Sequence, residues 1–530
     1  MSSIWKSVCT ILLLCFSAGS GLSAPKGTSS TQPKLVVLIV IDQFRYDYLA
    51  RFRTEYTGGF DRLMKTGAFF SNAYYQHFPT VTAVGHSTVL TGATPSVSGI
   101  VNNEWFDRET GMRVTSVSDP KLKLLGGSGG AGASPHRLMV STIGDELKMS
   151  GKSQTKIIGV SYKDRAAILP SGHMADGAFW FDDKTGSFVS STFYFEDLPA
   201  WVKEFNAAGR SKQFSNREWK SLSHAANGNG KVLKRLPESG SPDYFDALES
   251  SPFGNELLAA FAQRAIEAEK LGTRGATDLL TISFSSNDHL GHEVGPDSVE
   301  VHEMCLQTDR VIGDFFQFLD DKIGLNNVLV VLTGDHGVAP LPETMAARKM
   351  PGGRISDKVA LNAVQTALTA RFGEGDWIRF GSYGTFYFNS DLIRQKNLKA
   401  KEVHDTAAEA LLKIPQVFRV YTREQLVAGE VLLDQVGRRV VNGFHAARGG
   451  DVIALLDPYW MFSGHGTTHG SAFHYDSHVP LAFMGPGVKP GRYDQNVAIN
   501  DLAPTLAVML EVETPSGSSG RVLTEMLAGR

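Results

Sequence analysis

Three features of this 530-residue chain predict an α/β fold with a mostly parallel central sheet sandwiched by helices. Apolar, β-branched runs of strand length recur along it, stretches with apolar residues at three- and four-residue spacing separate them, and reactive polar residues follow directly where the runs end. A run without polar alternation suits a strand covered on both faces, as in a parallel sheet.

The first such run is 34–44 (KLVVLIVIDQF), which carries Asp42 at its end. Runs at 156–162 (KIIGVSY), 278–285 (DLLTISFS) and 327–333 (NVLVVLT) follow the same plan, and 479–484 adds a late strand. Helical spacing marks 137–149, 254–271, 298–323 and about 500–510, and this alternation of strand and helix places the helices on the two sheet faces. In open α/β sheets ligands bind at the carboxyl ends of the strands, where the reactive residues of this chain fall. Two long intervals, about 170–250 and 339–450, interrupt the plan and are expected to be insertions that cap the site. The glycine-rich stretch 126–132 lacks the strand and spacing of a phosphate-binding loop.

Residues 1–24 pair a charged Lys6 with a short apolar stretch and then small residues, the pattern of a secretory signal peptide, with 25–33 as a linker to a single catalytic domain over 34–530. The apolar stretch is too short to span a bilayer. The expected product is exported, periplasmic or secreted. Of three cysteines, Cys9 and Cys15 lie in the leader, so Cys305 alone remains and a disulfide framework is excluded. The 52 Lys and Arg against 55 Asp and Glu leave a net charge of −3, which argues against a dedicated nucleic-acid or anionic-membrane surface.

Metal-ligand chemistry is spread over four segments. Asp42 ends the first strand; Asp288 and His292, four apart in NDHLGHE, face one side of a helical turn; Asp335 and His336 sit between glycines in TGDHG; and His469 lies in THGSAFHYDSHVPLAF, where His465, His474 and His478 compete with it. Three aspartates and three histidines without a thiolate suit two Zn²⁺ or related divalent ions. Thr82 opens a helical stretch in FPTVTAVGHSTVLTG, where backbone N–H groups favour an anion; a threonine there is commonly just a cap, and unaided attack is beyond its hydroxyl. Asn103 in VNNEWF and the pair Lys163 and Arg165 in SYKDRAAILP complete the polar set. Facing a metal site, the two cations would bind the outer oxygens of a dianionic group.

Taken together, VLIVIDQFRYDYL, FPTVTAVGHSTVLTG, GIVNNEWFD, SYKDRAAILPSGH, DHLGHEVGPDS, LTGDHG and THGSAFHYDSHVPLAFMGPG resemble, in this order, the alkaline phosphatase superfamily, and most closely its PafA-type phosphate monoesterases with a threonine nucleophile. The resemblance implies that one zinc is held by Asp42, Thr82, Asp335 and His336 and the other by Asp288, His292 and His469. It further implies Thr82 as nucleophile through a phosphothreonine intermediate, with Asn103, Lys163 and Arg165 binding the phosphoryl group. The expected substrates are small-molecule phosphate monoesters, with no dedicated nucleic-acid partner, no membrane partner after leader removal, and a monomeric enzyme. A nucleotide pyrophosphatase/phosphodiesterase on the same bimetallic site is the alternative, and the Lys-x-Arg pair argues against it.

Overall fold

The computed structural model of the protein describes residues 32–151, 154–222 and 230–529. The leader expected over 1–24 and nearly all of the linker lie outside the described residues. Eleven strands form the main sheet: β1 (Leu35–Ile41), β2 (Ala68–Tyr74), β3 (Ser118–Leu125), β4 (Ala131–Ala133), β5 (Ile157–Ser161), β6 (Gly177–Asp182), β7 (Ser187–Ser191), β8 (Asp278–Phe284), β9 (Val328–Gly334), β10 (His478–Met484) and β11 (Gly491–Ala498). Their spatial order is β11-β2-β10-β9-β1-β8-β5-β6-β7-β3-β4. The block β9-β1-β8-β5-β6 is parallel throughout, whereas β10 runs antiparallel to both of its neighbours.

Every residue of β1 is buried. Leu35, Val37, Ile39 and Ile41 enter one core with the helices Pro252–Glu269 and Val299–Ile323; Val36, Leu38 and Val40 enter another with Leu502–Leu510 and Ile143–Met149. A strand whose two faces are both covered gains nothing from polar alternation, which is why the run is apolar throughout. Each such side chain contributes about 1.5–3 kcal/mol by leaving water.

Two expectations shift in position. The helix anticipated over 137–149 begins at Ile143, because Thr142 forms a capping box: its hydroxyl accepts from Asp145 N at 3.2 Å while the Asp145 carboxylate accepts from Thr142 N at 2.8 Å. In the interval 170–250, β6 and β7 join the main sheet, and Trp201, Phe205 and Trp219 pack in the same core as β1. The later interval, together with the strand Val452–Leu456 just beyond it, builds a separate layer, an antiparallel sheet of Ile378–Ser382, Thr385–Phe388, Val452–Leu456 and Val417–Thr422 in that order, backed by the helices Asp357–Phe372 and Ala400–Leu412 over their own apolar core. No helix among the described residues is long and apolar enough to cross a membrane.

Candidate bimetallic active site

Because β9, β1, β8 and β5 are neighbours and parallel, whatever follows them meets at one sheet edge. Asp42 comes one residue after β1 and Asp335-His336 directly after β9. Asp288 and His292 lie on the helix Ser286–Val294 that follows β8, and Lys163 and Arg165 stand at the start of the short helix Asp164–Ile168 beyond β5. All six singled-out ligands are brought into two groups. Ligand atoms of Asp42, Asp335 and His336 lie within 4.8 Å of one another, as do those of Asp288, His292 and His469. The groups adjoin, since the rings of His336 and His469 stack at 3.6 Å between centroids.

Position separates the late histidines. His469 is buried and its Nε2 points towards Asp288 Oδ1 at 3.7 Å, whereas His465 and His474 are exposed and His478 stacks between Tyr46 and Tyr74. Each of the three inward histidines has Nδ1 beside a main-chain carbonyl: His292 with Thr467 O at 2.9 Å, His336 with Gly337 O at 2.9 Å, and His469 with Thr80 O at 2.8 Å. A main-chain carbonyl can only accept, so each Nδ1 donates to it and Nε2 is the nitrogen turned towards the cluster, the orientation a metal ligand requires. Two carboxylate oxygens, Asp42 Oδ1 and Asp335 Oδ2, are buried without a hydrogen-bond partner. Buried anionic oxygens are costly unless paired, so these atoms fit positions for cations.

Charge points the same way. Lys163 Nζ donates to Asp42 Oδ2 at 2.6 Å and to Asp288 Oδ2 at 2.5 Å, tying the two groups together. One ammonium faces three carboxylates. Burial first, and then Asp288 and Asp335, push Asp42 up to about 8; at Asp288 burial is outweighed by Lys163 and His292, which hold it well below the usual carboxylate range. Burial would lower His292, but Asp288 raises it to about 9.

Thr82 is the first residue of the helix Thr82–Thr91. The N-cap position belongs to Val81, in extended conformation, and no side chain caps this helix. The Thr82 hydroxyl is thus not a cap; it faces His336 Nε2 at 3.5 Å and is almost fully buried. Asn103 Oδ1 accepts from Ala83 N at 2.8 Å, which fixes the amide beside the helix N-terminus, and its Nδ2 makes no hydrogen bond among the described residues. Arg165 lines the same cleft with its Nε buried and unpartnered.

Three contributors escaped the sequence. Gln43, with φ of +59°, donates from its backbone N to Asp335 Oδ1 at 3.0 Å and from Nε2 to Asp288 Oδ1 at 2.7 Å, so it touches both groups. His86 sits one turn after Thr82, with Nδ1 at 2.8 Å from Thr82 O and 3.3 Å from Asp335 Oδ2. Its four-residue spacing from Thr82 was a usable signal; the role of Gln43, set by a left-handed backbone, had none. Tyr383 enters from the cap layer, its ring centroid 6.4 Å from that of His469.

The family model described as type I phosphodiesterase / nucleotide pyrophosphatase matches residues 36–478. The chain belongs to this family. Within it, the chain is 38% identical to alkaline phosphatase PhoV of Synechococcus elongatus, covering 97% of this chain and 98% of that one. It is 36% identical to alkaline phosphatase PafA of Elizabethkingia meningoseptica, with 96% of each covered, and 36% identical to a Myroides odoratus protein named a calcium-transporting ATPase, with 99% of each covered. The crystal structure of wild-type PafA superposes with a TM-score of 0.87 over 94% of this chain and all of that one, at 35% identity. The expected fold, a mostly parallel sheet flanked by helices, is that of PafA.

Proposed function

We propose that this protein is an exported, monomeric, zinc-dependent alkaline phosphatase that hydrolyses small-molecule phosphate monoesters through a phosphothreonine intermediate. The full-length relatives named alkaline phosphatases support the monoesterase activity. The observation that carries the choice of monoester over diester is the pair Lys163 and Arg165 at the mouth of β5, beside Thr82 and Asn103. A terminal phosphoryl group is dianionic and has three outer oxygens to satisfy, and the added positive charge and the free donors of Arg165 and Asn103 suit it. A diester presents one charge fewer and a second organic group.

Asp42, Thr82, Asp335 and His336 would hold one divalent ion and Asp288, His292 and His469 the other. When bound, such ions lower the pKa of a coordinated hydroxyl and offset charge on the attacking and leaving oxygens. Thr82 Oγ1 is directed at the phosphorus by its place at the helix start, where the dipole and free N–H groups favour the anion. The Oγ1–P bond forms as the ester P–O bond breaks and the alcohol departs. Water then cleaves the phosphothreonine, returning Thr82 and releasing inorganic phosphate. Asn103 and Arg165 hold the outer oxygens through both steps, and Lys163 acts as a point charge beside the ligand carboxylates. Positioning and electrostatics are the terms that matter in phosphoryl transfer, because little covalent work falls to the protein.

The test compares turnover of an aryl phosphate with its methyl diester, before and after chelation and zinc restoration. The monoester should lead by about 100-fold or more, since two charged hydrogen-bonding contacts are worth about 1.5–3 kcal/mol each. Lys163→Ala and Arg165→Ala should both erode that lead. A better diester substrate, or turnover that survives chelation, refutes the proposal.

A further inference from the structure

The cap layer contributes a side chain to the cleft for which its local backbone provides no reason. Strands Ile378–Ser382 and Thr385–Phe388 pair as a hairpin with Ser382 opposite Thr385, so the connection is the two residues Tyr383 and Gly384. Both have positive φ, +48° and +71°, the geometry of a type I′ turn. Glycine is required at the second position, where a Cβ would lie 2.3 Å from Ala454 O. At the first position asparagine, aspartate or glycine is the residue that accepts left-handed backbone without strain. A tyrosine there is held against its own preference, and strain of this kind concentrates at functional sites.

The side chain goes where substrate must go. Tyr383 borders a cleft of about 260 Å³ with Asn103, Arg165, Glu104 and Ser116, and on its other side it faces His469. Its ring is half-buried, and its hydroxyl makes no hydrogen bond among the described residues. Within that cleft Glu104 is already paired with Arg113 at 2.8 Å, and Asp164 lies 3.7 Å from Arg165. Among the described residues that line this cleft Arg165 is the one cation, and Arg113 beside it is engaged by Glu104, so the lining favours an uncharged leaving group.

We infer that Tyr383 forms the wall of the leaving-group subsite and gives the enzyme a preference for phosphate monoesters of uncharged, ring-bearing alcohols. This rests on the phosphatase proposal above. An aromatic face packs on a ring in offset or edge geometry and gains beyond simple area burial, whereas a methyl group offers it little.

The test uses the zinc-loaded, full-length enzyme and its Tyr383→Asn variant, which suits the turn better than the native residue and so keeps the hairpin. Benzyl and methyl phosphate, whose leaving alcohols are similarly basic, are compared by kcat/KM, together with inhibition by inorganic phosphate and a thermal melt. The ratio of benzyl to methyl kcat/KM should fall by about 3- to 10-fold in the variant, from the usual worth of an aromatic contact, while phosphate inhibition stays within about twofold. An unchanged ratio in an active enzyme overturns the inference alone, as does an equal loss for both substrates with weakened phosphate inhibition. A wild-type enzyme that hydrolyses no monoester overturns the phosphatase proposal as well.

Discussion

Gly85 separates helix propensity from tertiary packing. It lies in the first turn after Thr82, in a helix whose every residue is buried. Propensity alone says that Gly85→Ala should stabilise the helix by about 1 kcal/mol. The structure says the opposite, because an added Cβ would stand 2.2 Å from Asp335 O and 2.8 Å from Asp335 Cβ. To reach ordinary contact at 3.4 Å the helix must retreat by about 1.2 Å, and the loop carrying Asp335 and His336 offers no slack, since Gln43 N and Gly337 O hold its side chains. Overpacking of this kind costs about 1–3 kcal/mol. The retreat also draws the Thr82 hydroxyl away from His336, and a misplacement of about 1 Å at a reacting group can cost about 100-fold in rate. Denaturant unfolding and kcat/KM on an aryl phosphate read the two effects. A Gly85→Ala enzyme that is about 1 kcal/mol more stable and fully active would refute the packing argument.

Three further outcomes are expected. Gln43→Ala removes the side-chain donor to Asp288 while sparing the backbone contact to Asp335; zinc affinity by chelator competition should weaken about 10- to 100-fold, as for other residues that orient metal ligands, and unchanged affinity would exclude that positioning role. His77 is fully buried with neither ring nitrogen hydrogen-bonded, and burial, then Arg439, push it down to about 3. The unfolded chain takes up this proton as pH falls through about 6.5 and the folded one does not until about 3, so stability should drop across that window by up to about 1.4 kcal/mol per pH unit. Urea midpoints between pH 7 and 4 should show a flatter acid limb in His77→Leu, and parallel limbs would contradict the assignment. The Asp309 carboxylate accepts from Thr57 N, Gly58 N and Phe60 N at 2.8, 2.7 and 2.7 Å, capping the helix Gly59–Thr66, which carries none of the candidate site residues. Asp309→Ala should cost about 2 kcal/mol in unfolding free energy with kcat/KM unchanged, and a loss of activity at full stability would contradict it.

The legible part of the candidate site was the part written in strand ends. Asp42, Asp335, His336, Lys163 and Arg165 each follow a doubly buried strand, and such a strand announces itself locally because both faces must be apolar. Asp288 and His292 were legible because a helix repeats on itself within four residues. Neither signal reaches residues that arrive from irregular segments. His469 sits in a loop with three competing histidines, and burial against Thr80 and Asp288 is what distinguishes it. Thr82 looked like an ordinary cap, and only the placement of Val81 at that position releases its hydroxyl. The strands β6 and β7 were hidden inside an interval that read as an insertion, since GAFWFD and SFVSS are short and mix glycine, serine and aspartate with their apolar residues instead of forming an unbroken β-branched run.

From residue order alone came the layer architecture, the sheet edge that holds the chemistry, the N/O donor set and the family resemblance, because periodicity and short-range spacing are properties of neighbouring residues. The resemblance also implied how the ligands divide into two groups; tertiary structure alone decided that Lys163 joins those groups, that Gln43 spans them, and that Tyr383 from a distant hairpin borders the cleft. Those facts depend on which strands lie side by side and on which loops fold over them, and contacts across hundreds of residues leave no periodic trace in the chain.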